Sequence, residues 1–458
     1  MRKTRLSSLA GIGLAFALVS ACGSSGGSSS GTTAPGTTAS GTTAAPATSA
    51  APGTSAVATT AAPGTSAGGG TPAKAPGFDG TTIKLGMIGA LSGPASAPIG
   101  IPHANGNRVF FEALNAKGGI GGKYKVQLVE GDGKYDVAET VKQYGTIKDQ
   151  VAAFVQTFGT PTTQALLQSI NEDHVLVQPA TLDSIWQTQK YLLPILAPYQ
   201  IQAANGLSYY VQQNGKSKVI CSMVIDSAYG QAGEQGLDYA AKQLGVKIAV
   251  KQTHKAGDQD FTAQINAFKS GKCDMVWLTA LPTETAGILG RAAQAGFNPQ
   301  WVAQSPTFVT AFLGSPLGPY MQAHFWLMGE GPQWGDTSVP GMAMMLNDVK
   351  ASKVDPGQKP DGYFTFGYTE AWAVAQVLEQ AVKNGDLSHD GIVKAVSDLG
   401  QLKFDGLAAD EKIGDPGVRE APRANTVFAM NPSTVNTDGG VKPLVKGYTS
   451  DAAKSFTF

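Results

Sequence analysis

The sequence predicts an α/β fold of two doubly wound, mostly parallel-sheet lobes joined by a hinge around an interlobe cleft. Three observations carry this expectation. From about residue 80 onward, short β-branched runs alternate with helical stretches across short connections, the grammar of a parallel sheet covered on both faces. The same alternation restarts near Lys218. The roughly 378 residues after Gly80 also exceed what a single core ordinarily supports.

Before this body the chain has two unlike pieces. Arg2, Lys3 and Arg5 precede an apolar stretch from Leu6 to Val19, too short for a stable membrane span and built like an export signal. The stretch ends in Val19-Ser20-Ala21-Cys22, which resembles a bacterial lipobox; that resemblance implies cleavage before Cys22 and lipid on it. Residues 23–73 carry no charge and consist of Gly, Ser, Thr, Ala and Pro apart from Val57. Such a segment buries too little apolar area to offset its ordering entropy, so a disordered tether is expected, with a reach of roughly 40 Å. Domain boundaries follow at 1–21 for the signal, 22–80 for the lipidated Cys and tether, 81–198 and 199–331 for the two lobes, and 332–458 for crossover helices and C-terminal segments completing both.

In the first lobe the expected elements are strands at 82–90, 124–129, 151–158 and 175–178, alternating with helices at 103–116, 137–147 and 162–170. The second lobe reads as strands at 219–225, 247–251, 274–279 and 301–303 with helices at 228–244, 262–268 and 283–295. A long helix at 363–384, with Trp372, Val374, Val377 and Leu378 among its apolar positions, and a shorter one at 392–399 follow. Lobes of this kind present their loops at the carboxyl ends of the strands, which makes the interlobe crevice the natural site.

Charge and motif content exclude several function classes. Lys plus Arg and Asp plus Glu each number 34; setting aside the three leader cations leaves 31 basic against 34 acidic groups, so nucleic-acid binding has no electrostatic footing. The five histidines (103, 174, 254, 324, 389) show no metal-ligand spacing, and no cofactor is called for. Ser92 lacks an identifiable base, and the Gly118–Gly122 run follows a helix where a dinucleotide site needs glycines before one. No catalytic residue emerges, so the reading is of a binding protein and not an enzyme. Cys221 and Cys273 fall at or just before strands of the second lobe. A disulfide is chemically allowed outside the cytoplasm, but the offset between the strands leaves it open and leans toward two buried thiols.

Several motifs in order then carry a name: Ile88-Gly-Ala-Leu-Ser-Gly-Pro94, Ala113-Leu-Asn-Ala-Lys-Gly-Gly-Ile120, Asp226-Ser-Ala-Tyr-Gly230, Asp258-x-Asp260-Phe261, Asp274-Met-Val-Trp277 and Arg291-Ala-Ala-Gln-Ala-Gly296. From about Thr82 to the end the chain resembles the type I periplasmic solute-binding proteins of ABC transporters, in the branched-chain amino-acid-binding group. The resemblance implies capture of a small-molecule solute outside the cytoplasm by a monomer, and delivery to an ABC permease in the membrane. By the same resemblance, Gly159-Thr160-Pro-Thr162-Thr163 and Pro179-Ala180-Thr181 match the loops that hold a ligand carboxylate, and Tyr229 matches the aromatic that closes on the ligand. Ser92 is included in the expected ligand set. The departures are Leu281, where the family often has a second pocket tyrosine, and Ser305, where amino-acid binders carry the acidic partner of the ligand ammonium. Glu284 and Glu330 are the candidates to replace that acid, with Phe308 beside Leu281 against an apolar ligand body. A sensor lipoprotein of the same fold, acting through a signalling partner, is the alternative.

Overall fold

The computed structural model describes residues 72–458; the leader, Cys22 and nearly all of the expected tether lie outside the described residues. The first lobe runs β1 (Thr82–Gly89), α1 (Ile101–Ala116), β2 (Lys125–Asp132), α2 (Val137–Ile147), β3 (Ala153–Phe158), α3 (Thr160–Asp173) and β4 (Val177–Ala180). Its four strands are parallel in the order β2-β1-β3-β4. β3 is buried at every position, as a central parallel strand covered on both faces must be.

The second lobe begins with α4 (Tyr199–Asn214) and continues β5 (Ile220–Ile225), α5 (Ala228–Leu244), β6 (Ile248–His254), α6 (Thr262–Ser270), β7 (Met275–Thr279), α7 (Pro282–Gln294), β8 (Gln300–Ala303), α8 (Gly318–His324) and β9 (Phe325–Gly329). The chain then returns to the first lobe for α9 (Pro340–Ala351), α10 (Gly362–Asn384), α11 (His389–Leu399) and a short antiparallel pair, β10 (Gln401–Leu402) with β11 (Glu411–Lys412). It ends in the second sheet as β12 (Asn425–Met430) and β13 (Val441–Tyr448).

That sheet has seven strands in the order β13-β12-β9-β8-β7-β5-β6. The five strands from β5 to β9 are parallel, and β6-β5-β7-β8 repeats the order of the first lobe, so the chain reverses direction between β1 and β3 and again between β5 and β7. In doubly wound sheets the crevice at such a reversal receives the ligand. The sequence reading did not anticipate the antiparallel edge that β12 and β13 add.

The long helix α10 lies against α1, and reciprocal glycines set the approach. A Cβ on Gly106 would stand 2.2 Å from the Phe364 carbonyl oxygen, and one on Gly367 would stand 2.0 Å from that of His103. Neither position accommodates alanine without parting the helices. Between these backbones the buried His103 ring bonds Glu370 at 2.6 Å. Burial raises the Glu370 carboxyl, against the opposing pull of His103.

Cys221 and Cys273 are joined in a disulfide, with Cα atoms 5.9 Å apart. This corrects the leaning toward free thiols. β5 and β7 are direct neighbours, and a turn with Lys272 in the left-handed region brings Cys273 back beside Cys221 despite the offset.

Candidate functional site

Three chain crossings join the lobes: after β4, after β9 and after β11. Two consecutive backbone N–H groups of the first crossing meet carboxyl groups from the other two. Leu196 N–H donates to Glu411 at 2.7 Å and Ala197 N–H to Glu330 at 2.8 Å. Burial pushes Glu411 up to about 8 and Glu330 well above the usual carboxyl range.

Between the lobes lies a cavity of about 220 Å³. On the first-lobe side its polar end is built where β3 and β4 stop. Gly159 takes a φ of 95° that favours glycine, and the ring of Tyr135 fills the space where a Cβ would sit. Helix α3 then starts at Thr160, two residues earlier than expected, because Pro161 suits a first turn. The Thr160 hydroxyl lies 2.6 Å from that of Thr181, which in turn donates to the Tyr199 hydroxyl at 3.4 Å. Backbone N–H groups of a first helical turn have no acceptor inside the helix. Hydroxyls beside such a turn form a cradle for a carboxylate or another electron-rich oxygen.

From the second lobe Tyr229, in the first turn of α5, meets Tyr199 edge to face with ring centres 5.0 Å apart, and its hydroxyl donates to the Ala280 carbonyl at 3.4 Å. Burial pushes Tyr199 up to about 12 and Tyr229 also upward, so both phenols stay neutral at physiological pH. Leu281 precedes α7, and Ser305, whose N–H donates to Gln202 at 3.0 Å, follows β8. Thr160, Ala180, Thr181, Tyr229, Leu281 and Ser305 therefore line one cavity, joined by Phe308 and Glu330.

Two predicted residues do not. Ser92 lies exposed in the loop after β1 and donates its hydroxyl to Asp132. Burial pushes the Asp132 carboxyl up, but bonds from Ser92, Leu91 and Lys134 outweigh that and hold it below its ordinary value. Thr162 sits two residues beyond Thr160, hence on another face of α3, and turns its hydroxyl back to the carbonyls of Phe158 and Gly159. Glu284 also lies elsewhere, accepting from Gly257 N–H at 2.7 Å and from the Thr283 hydroxyl.

The cavity wall contains residues that the sequence reading passed over or assigned elsewhere. Tyr135, Tyr199 and Tyr363 come from a loop and two helix starts far apart in the chain, and His103, read as a helix-start residue, presents its ring from α1. Tyr363 donates across the cleft to the Pro306 carbonyl at 2.6 Å, and Thr310 donates the other way to Pro360 at 3.0 Å.

The carboxyl groups lining the cavity are Glu330, Asp361 and Asp438. Glu330 accepts from Ala197 and Asn425 in the crossing. Asp361 caps α10 by accepting from the Tyr363 and Phe364 N–H groups, and burial pushes it up to about 6 against those bonds. Asp438 belongs to the segment before β13, at the opposite edge of the sheet from Tyr229, and accepts from Gly440. Each of the three already accepts from a backbone N–H group. Among the described residues there is also no cluster fit to hold a metal ion, and no helix long and apolar enough to cross a membrane.

Comparison with known proteins agrees with this architecture. The chain is 23% identical over 359 residues to a Leu/Ile/Val-binding protein homolog 1 of Brucella suis, covering 73% of this chain and 92% of that one. It is 24% identical over 327 residues to the leucine-specific-binding protein of Salmonella typhimurium, covering 70% and 86%. Among solved structures, a fatty acid ABC transporter substrate-binding protein from Thermomonospora curvata superposes with a TM-score of 0.77 at 23% identity, covering 84% of this chain and 97% of that one. A branched chain amino acid ABC transporter protein from Thermus thermophilus with bound valine gives a TM-score of 0.71 at 17% identity, covering 82% and 98%. Residues 82–434 match the family model described as periplasmic binding protein. The chain belongs to the periplasmic binding protein family, whose members bind solutes outside the cytoplasm and are not enzymes.

Proposed function

We propose that this protein is the substrate-binding lipoprotein of an ABC uptake system, and that its solute is a monocarboxylate with an apolar body and no ammonium group. The observation that carries the reading is the pairing of a hydroxyl and helix-start cradle with a wall whose carboxyl groups each already accept from a backbone N–H group. An α-amino acid bound there would bury its ammonium beside Ser305, at a cost of several kcal/mol for an uncompensated ion. An acid without the amine needs only the cradle, and Leu281, Phe308, Leu327 and Phe366 supply apolar surface for its body.

In this reading the solute passes to an ABC permease, lipid on Cys22 anchors the mature monomer, and residues 22–80 tether it. The lobes are 81–198 and 199–331, with 332–458 shared between them. Of the relatives named above, one is named as leucine-specific-binding, one holds bound valine and one belongs to a fatty acid transporter, and the fatty acid case fits this cavity better. A thermal-shift screen of the mature chain against amino acids, amides, organic acids and sugars tests the proposal. Carboxylates with apolar bodies are expected to stabilise it; selective stabilisation by leucine or valine would overturn the reading.

A further inference from the structure

The cavity is longer than a short acid requires, and its length has a direction. Along the large sheet β5, β7, β8, β9, β12 and β13 follow one another. Each contributes to the cavity floor: Tyr229 after β5, Leu281 after β7, Ser305 after β8, Glu330 after β9, Phe428 within β12 and Val441 at the start of β13. Neighbouring strands stand about 4.8 Å apart, so the floor spans roughly 14 Å from β5 to β9. It then turns down the sheet, since Phe428 pairs with Leu327 within β9 and Val441 with Met430, toward the amino end of β9. A side chain the size of leucine's fills only the first part of that floor.

The far part is firmly built and mostly apolar, with the Asp438 carboxyl and the Gln333 amide at its β13 side. Trp334 meets Phe364 edge to face with ring centres 5.9 Å apart, and Gln333 is held by the Val441 carbonyl. Gly331 presses so closely on the Leu407 carbonyl that a Cβ there would stand 2.4 Å away. Leu407 and Ala408, both buried, form the wall contributed by the segment between β10 and β11. Glu330 is the carboxyl at the entrance to this part, with its oxygen engaged by Ala197 and Asn425.

We infer that this far compartment gauges chain length: the ligand is an unbranched alkanoic acid whose carboxylate sits in the Thr160–Thr181 cradle and whose chain runs past β7, β8 and β9 to stop against Leu407, Ala408 and Phe428. The inference deepens the carboxylate reading above and rests on it. Each buried methylene contributes about a three- to four-fold gain in affinity until the chain meets the wall, after which the gain stops.

Calorimetric titration of the mature protein with straight-chain acids from butanoic to hexadecanoic tests this, alongside Ala408→Phe and Phe428→Ala. Melting curves of both variants report their folding, and each variant alone is decisive. Ala408→Phe is expected to move the chain length at which affinity levels off to shorter acids, and Phe428→Ala to longer ones. If straight-chain acids bind but affinity levels off at the same length in all three proteins, the gauge is overturned while the carboxylate reading stands. Binding of short branched acids with no gain along the straight-chain series has the same consequence. If no acid binds the unaltered protein, the carboxylate reading falls and the gauge with it.

Discussion

At the residue scale, specificity turns on what stands beside the cradle. The buried Thr160 and Thr181 hydroxyls are already within hydrogen-bond distance of one another, so the first-lobe half of the site is set before a ligand arrives. Thr181→Val keeps the shape and removes one hydroxyl; affinity for the cognate acid is expected to fall about ten-fold, the scale of one hydrogen bond to a charged group. Ser305→Asp places a carboxylate where the sequence resemblance puts the acidic partner of a ligand ammonium. It is expected to weaken the acid by like-charge repulsion and to raise affinity for leucine, both read by calorimetry. The sequence exposed this half of the site through residues at strand ends, where the motif resemblance is local. Thr162 misled because adjacency in sequence is not adjacency on a helix face, and Ser92 because Asp132, forty residues on, captures its hydroxyl.

At the element scale, the crossings and helix starts do what the strands cannot. Tyr363 and Thr310 bond across the mouth of the cleft in opposite directions. Tyr363→Phe removes one of these bonds and is expected to speed ligand release, with a smaller effect on capture, measured by stopped-flow fluorescence. The carboxyl pair at the crossings makes a pH prediction. Glu411 ionises near 8 when folded but in the ordinary carboxyl range when unfolded, so the native state holds the extra proton between those values. Its contribution to stability is fully present below the unfolded value and is lost as pH rises toward 8. Melting temperature is expected to decline over that interval and to decline less steeply in Glu411→Gln, which keeps an oxygen for the Leu196 N–H. The helix α4 escaped sequence reading because polar residues occupy its core positions. Gln200, Gln202 and Asn205 are buried and bonded to Asp183, Ser305 and Asn425, so no apolar stripe stands out. β13 was hidden by Pro443 and by the exposed Lys442, Leu444 and Lys446 of an edge strand.

At the scale of the whole molecule, the alternation that predicts two parallel-sheet lobes also predicts where they meet, because both sheets share one strand order and one reversal point. The sequence assigns 332–458 to segments completing both lobes, but does not show the order in which residues 340–412 return to the first lobe before the chain rejoins the second sheet: the anchor is the Gly106–Gly367 approach between helices some 260 residues apart, which leaves no local pattern. That return also brings Tyr363, Leu407 and Ala408 into the cavity, turning a crevice suited to a small solute into one with a long apolar floor. On the proposed reading, a cradle whose neighbouring carboxyls are already hydrogen-bonded favours an acid lacking an amine. Calorimetric titration of the mature protein with leucine and with 4-methylpentanoate, the same skeleton without the ammonium, tests this most directly. The account predicts binding of 4-methylpentanoate at least ten-fold tighter than leucine; tighter binding of leucine would contradict it.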